Sequence, residues 1–149
     1  MTTFDSLIAL AKKLRAPGGC PWDRKQTIKS LMKCMEEETD EVLAAIKKKD
    51  HTNLKEELGD LLFSMLMVMN IAEEKKYFTH GNVFDAIEHK IISRHTWVFG
   101  EDKAATAEDA LKLWRKNKKK EKKVENVMYI EKKKGRLSGK KNMSRGKSS

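Results

Sequence analysis

Glu36, Glu37, Glu38, Asp40 and Glu41 crowd one short stretch, CMEEETDEVLAAI (34–46), and Glu57 and Asp60 follow in KEELGD. Glu38 and Glu41 are three residues apart, as are Glu57 and Asp60, and on a helix that spacing puts both members of a pair on one face. Four carboxylates brought together repel unless a cation sits among them. Oxygen-only donors suit a hard divalent ion, and Mg²⁺ is the usual partner where phosphate oxygens complete the shell. A thiolate zinc site is not supported, because the two cysteines, Cys20 and Cys34, form no CxxC and no close Cys/His cluster. The plainer alternative is a solvated acidic face with no ion.

The elements that must position these acids are read as helices. Apolar residues Phe4, Leu7, Ile8, Ala11 and Leu14 predict a first helix from Thr3 to Arg15. APGGCPWD then reads as a turn-rich loop holding Trp22. A second helix is expected over Thr27 to Lys48 and a third over Asn53 to Glu74, with Asp50 or Thr52 as its cap. A fourth runs from Asn82 to before Trp97, capped by Thr79. A fifth starts near Thr106 and carries Glu108 and Asp109 in its first turn, where the helix dipole favours acids. The link KKKDHTN is short, so the second and third helices should form an antiparallel hairpin. Folding the chain about residue 49 or 50 sets Glu41 opposite position 58 and Glu38 opposite position 61. The second acidic pair then faces the first. Gly59 is expected to allow close helix approach beside the acids.

The expected fold class is all-α, a small bundle of about five helices joined by short connections, assembled as a dimer. Met65, Met67 and Met69 in the apolar run LLFSMLMVM read as soft core filling or an oligomer contact. The chain has 149 residues, enough for one domain and a tail. Its net charge of +10 is uneven. Residues 1–111 hold 16 Lys/Arg against 19 Asp/Glu, a net −3, whereas 112–149 hold 16 against 3, a net +13. Residues 1–123 are expected to form the folded domain. Residues 124–149 are read as a basic, disordered tail, Gly/Ser/Lys-rich from Gly135 on, with VENVMYIE of unassigned structure. The two unpaired cysteines fit a reducing, cytoplasmic setting. MTTFDSLIALAKKLR is amphipathic with an early acid, unlike a signal peptide, and the longest apolar run is too short to span a membrane.

GGCPWDRKQT, EEETDE, KEELGD with its hydrophobic run, FTHGNVFDAIEHKIISRHTWVFG and TAEDALKLWRKNKKKEKK together resemble the MazG family of nucleoside triphosphate pyrophosphohydrolases. The similarity covers roughly 4–115. The family pattern EExxE, spacer, ExxD fits as Glu37, Glu38 and Glu41, then Glu57 and Asp60. The resemblance implies an all-α, Mg²⁺-dependent hydrolase, with Mn²⁺ as a substitute ion. Such an enzyme cleaves an NTP or dNTP between the α and β phosphates, giving a nucleoside monophosphate and pyrophosphate. It makes Glu38, Glu41, Glu57 and Asp60 the metal ligands, and leaves Glu37 either in an outer position or in water activation. It also implies a dimer or higher assembly. Position 40 is Asp where the family commonly has an aromatic residue, and Thr96 stands where proline is frequent.

Cations should flank the phosphates. Lys90 and Arg94, four apart on one helix, resemble the family's Lys and Arg, and Arg24 and Lys25 are further candidates. Trp22 is expected either to stack on a base or to fill a core gap, with packing favoured. Asp23 is read as a cap or an assistant to the site. Trp97, Phe99, His89 and His95 are read as packing or surface residues. Two competing classes stand beside the enzyme: a catalytically silent dimeric binding module, and a nucleic-acid-associated protein acting through its basic tail. The tail lacks aromatic interleaving and any zinc-finger or homeodomain pattern.

Overall fold

The computed structural model describes residues 1–123, and every regular element among them is helical. Six helices are α1 (Phe4–Arg15), α2 (Pro21–Lys25), α3 (Leu31–Lys48), α4 (His51–Glu74), α5 (His80–Arg94) and α6 (Thr96–Phe99). A seventh, α7, occupies 107–123. The expected disordered tail and the VENVMYIE segment lie outside the described residues. No helix among those described is long and apolar enough to cross a membrane.

Two compact units share the chain, Met1–Asp85 and the part beginning at Ala86. In the first, α3 packs along α4, α1 packs on α4, and α2 leans on α1. The α3–α4 connection is tight. Lys49 takes a left-handed conformation (φ 55°), and the Asp50 N–H returns to the Ala45 carbonyl at 3.0 Å. That geometry closes the end of α3 and reverses the chain at once. Asp50 then caps α4 by accepting the Asn53 N–H at 3.1 Å. Thr3 and Ser6 form a reciprocal cap on α1. Thr79 and Asn82 do the same at the start of α5, each side chain accepting the other's backbone N–H at 3.2 and 3.0 Å.

Ala11, Leu31, Leu66, Met67, Met69 and Ile71 form the core of the first unit, with Leu7, Ile8, Ile28, Leu62, Phe63, Val83 and Phe84 packed around it. Phe4 meets Phe84 edge to face at 5.3 Å. Met67 and Met69 are core residues, as expected, whereas Met65 is 43% exposed. Arg15 fastens three elements at one point. It donates to both carboxylate oxygens of Glu74 at 2.7 Å and to the backbone carbonyls of Asp23 and Gln26.

Three local expectations need correction. PWDRK is a short helix, not part of a loop, because Pro21 occupies its first turn, where a missing N–H does no harm. A Cβ on Gly59 would meet nothing within 4 Å, so this glycine serves no close helix approach. Trp22 fills no core gap; its indole is 58% exposed.

In the second unit, α7 is tied to the end of α5 and to α6. Glu121 accepts from the Ser93 hydroxyl at 2.7 Å and from Arg94 Nε and Nη2 at 2.9 and 2.6 Å. The buried Asn117 amide donates to the Arg94 carbonyl at 3.2 Å and the Thr96 hydroxyl at 2.9 Å. Arg94 also lies over the Trp114 ring, 5.3 Å from its centroid.

Candidate active site

The hairpin brings the acidic pairs together. Glu38, Glu41 and Glu57 each offer a carboxylate oxygen within 4.8 Å of the other two. Glu38 and Glu41 come from one face of α3, and Glu57 from the first half of α4. Asp60 is not among the three converging groups, yet its charge acts on both Glu38 and Glu57. Glu37 is exposed and ion-paired to Lys33 one turn earlier, at 3.4 Å. Of the remaining acids in the stretch, Glu36 and Asp40 are exposed.

The electrostatics record the crowding. Partial burial, then the charges of Asp60, Glu41 and Glu37, raise the Glu38 carboxyl above its ordinary range. Glu57 is raised by partial burial, by a hydrogen bond shared with Glu41, and by the charges of Glu41, Asp60 and Glu38. Nearby like charges favour the protonated form of a carboxyl. The same cluster is therefore a strained anion by itself and a ready host for a cation. Its donors are all carboxylate oxygens, close enough for one hard ion to touch several, and Glu38, Glu41 and Glu57 could hold such an ion with Asp60 beside them.

The remaining sequence candidates divide between the two units. Trp22, Arg24 and Lys25 project from α2 and are exposed, with no side-chain ion pair to the carboxylates among the described residues. Asp23 is buried, and its carbonyl receives Arg15. Lys90 and Arg94 lie in the second unit; Lys90 is exposed, and Arg94 is held by Glu121 and Trp114. Sequence reasoning did not single out Glu121. Its only signal is that it is the lone acid in KNKKKEKK. Two buried polar side chains were also missed. Asn70 is 1% exposed with neither amide atom partnered among the described residues, and His80 is 6% exposed with its ring 3.4 Å from Glu73.

The model of the MazG nucleotide pyrophosphohydrolase domain matches residues 26–99, the span that holds all four carboxylates. The crystal structure of a mazG-related protein from Thermotoga maritima aligns with a TM-score of 0.66 at 33% identity, over 77% of this chain and 98% of that one. The chain belongs to the MazG family. Among curated relatives, the uncharacterized protein YabN of Bacillus subtilis is 43% identical over 121 residues, 81% of this chain and 24% of its own length. The nucleoside triphosphate pyrophosphohydrolase/pyrophosphatase MazG of Thermotoga maritima is 37% identical over 126 residues, 83% of this chain and 49% of its own. The nucleoside triphosphate pyrophosphohydrolase of Escherichia coli is 37% identical over 122 residues, 81% and 46%. This chain therefore spans between about a quarter and a half of the length of those relatives.

Proposed function

We propose that the chain hydrolyses nucleoside triphosphates, NTP or dNTP, between the α and β phosphates to a nucleoside monophosphate and pyrophosphate. The observation that carries this reading is the convergence of Glu38, Glu41 and Glu57 within 4.8 Å across the α3–α4 hairpin. Family membership supports the class of reaction, and two curated relatives carry that activity in their names. We assign the activity to residues 1–123.

Glu38, Glu41, Glu57 and Asp60 are the residues assigned to hold Mg²⁺, with Mn²⁺ as a substitute. A bound Mg²⁺ would neutralise phosphate charge and act as a Lewis acid at the phosphoryl oxygen. The carboxylates fix where a triphosphate can lie, because an anion of that charge approaches them only in company with a cation. Glu37, next to Glu38 in the chain and paired with exposed Lys33, is assigned either an outer position at the ion or the orientation of a water. Lys90 is the assigned phosphate-binding cation of the second unit. Arg94 already has a carboxylate partner in Glu121 and serves there first as a positioning residue. Exposed Trp22, Arg24 and Lys25 on α2 are assigned to base and phosphate contacts. The functional assembly in this reading is a homodimer.

Incubation with Mg²⁺ and a panel of NTPs and dNTPs should release pyrophosphate and the matching monophosphate in equal amounts. Glu41→Gln should lower turnover by at least about 100-fold while leaving the helical content unchanged. No pyrophosphate from any nucleotide, or full turnover in Glu41→Gln, would reject the reading.

A further inference from the structure

Helix α7 has two unlike faces. Toward the second unit it turns half-buried Leu113 and Trp114, buried Asn117 and half-buried Glu121. The bonds from Asn117 to Arg94 and Thr96, and from Glu121 to Ser93 and Arg94, fix how the helix is rotated about its own axis. The opposite face carries Lys112, Arg115, Lys116, Lys119, Lys120 and Lys123, all exposed and opening on one shared depression. Their three- and four-residue spacing makes a continuous stripe. Eleven helical rises separate its ends, about 16 Å at ~1.5 Å per residue. Lys112 lies 4.0 Å from Asp109, a well-exposed pair, and exposed pairs of this kind contribute little.

We propose that this cationic face of α7 binds the phosphate backbone of double-stranded nucleic acid without reading its sequence. The form of the stripe selects a linear polyanion. Duplex DNA carries one charge per ~1.7 Å with both strands counted, so about 16 Å of it holds roughly nine phosphates, and a row of six cations can follow those on the facing side. A single small phosphate ligand would engage only part of such a row. No aromatic side chain stands on the stripe to stack unpaired bases, because Trp114 faces inward, which disfavours single strands. A membrane surface fits less well, since an interfacial helix needs an apolar face free to insert. Here Leu113 and Trp114 are turned into the unit, and Leu111 is the one large exposed apolar side chain on the helix. The inference is independent of nucleotide hydrolysis and uses none of its residues.

The test is fluorescence anisotropy of a labelled DNA duplex of about 20 bp with the full-length protein, at salt from about 50 to 200 mM. Three full-length variants are compared. One replaces all six stripe cations by Gln, and one replaces only Lys116, Lys119 and Lys123. The third replaces the eight Lys and Arg of 132–147. Gln matches Lys and Arg in helix propensity, and circular dichroism verifies that α7 is kept. Six neutralised phosphates contribute about −5 to the slope of log K against log salt. The six-fold variant should therefore bind at least about tenfold more weakly near 100 mM salt, with a slope shallower by several units. The three-fold variant should show about half that loss of slope and decides the matter if the six-fold variant misfolds. The 132–147 variant should keep the stripe's share. Unchanged affinity and slope in the folded stripe variants would overturn the proposal. So would binding to vesicles of anionic phospholipid with none to the duplex.

Discussion

At the residue scale, the acids define a pH window. Glu38 and Glu57 are raised above the ordinary Glu value of ~4.3 in the folded protein. Proton affinity is then higher in the folded state than in the unfolded one, so their ionisation works against folding. The penalty is absent below the unfolded pKa, grows as pH rises through the raised folded pKa, and is complete above it. Glu73, Glu74 and Glu121 have the opposite sign. Lys12, Arg15 and Arg94 respectively lower them, so their stabilisation is present at neutral pH and lost on acidification through their lowered pKa values. Comparison with Glu57→Gln isolates the site. In EDTA, that variant should melt above the parent near pH 7 and match it near pH 4, the lower edge of the window. Mg²⁺ should raise the parent's melting temperature more as pH climbs through the same window, because ion and proton compete for the same oxygens. The variant should lose most of that increase. A Mg²⁺ effect independent of pH, or equal in the two proteins, would remove Glu57 from the ion site.

At the element scale, two glycines separate what a helix tolerates from what a turn requires. Gly59 sits inside α4 with open space where a Cβ would be, so Gly59→Ala should stabilise the chain by about 1 kcal/mol in urea unfolding. A Cβ on Gly19 would collide with the Leu14 and Lys13 carbonyl oxygens, so Gly19→Ala should destabilise the chain. Equal effects would contradict the local geometry. Arg15→Ala removes charged hydrogen bonds that tie α1 to α2 and α4, and should cost about 1.5–3 kcal/mol by the same measurement. The hairpin was readable from sequence because helical period and a short link together set its register, and Glu38 and Glu41 did meet Glu57. The α2 helix was legible in principle from Pro21 but was obscured by the glycines before it. The capture of Arg94 by Glu121, 27 residues away, had no periodic signal at all. Nor did the burial of Asn70, an amide inside an otherwise apolar run, since only tertiary packing decides which side of α4 faces the core.

At the scale of the whole molecule, the first unit buries a core but leaves large apolar side chains of α3 and α4 exposed. On α3, Met32, Leu43 and Ile46 are 56%, 47% and 52% exposed, and their spacing of eleven and three residues keeps them on one stripe. On α4, Leu58 and Met65 are 50% and 43% exposed and seven residues apart, the separation that repeats one helix face. Leu66, Met67 and Ile71 of the same helix are buried in the core. Exposed apolar stripes on helices are what a helical dimer interface uses, and a stable one covers about 1,200–2,000 Å² in total. The full-length chain should therefore sediment as a dimer. Met65→Glu places a charge where the partner's apolar side chains would lie, and should shift the equilibrium to monomer. Because Met65 is already exposed in the single chain, the monomer's own stability should change by no more than about 0.5 kcal/mol. Sedimentation velocity across a dilution series reads the first effect and urea unfolding at low protein concentration reads the second. A parent chain that sediments as a monomer throughout would reject the dimer, and a Met65→Glu protein that remains dimeric would move the interface away from α4.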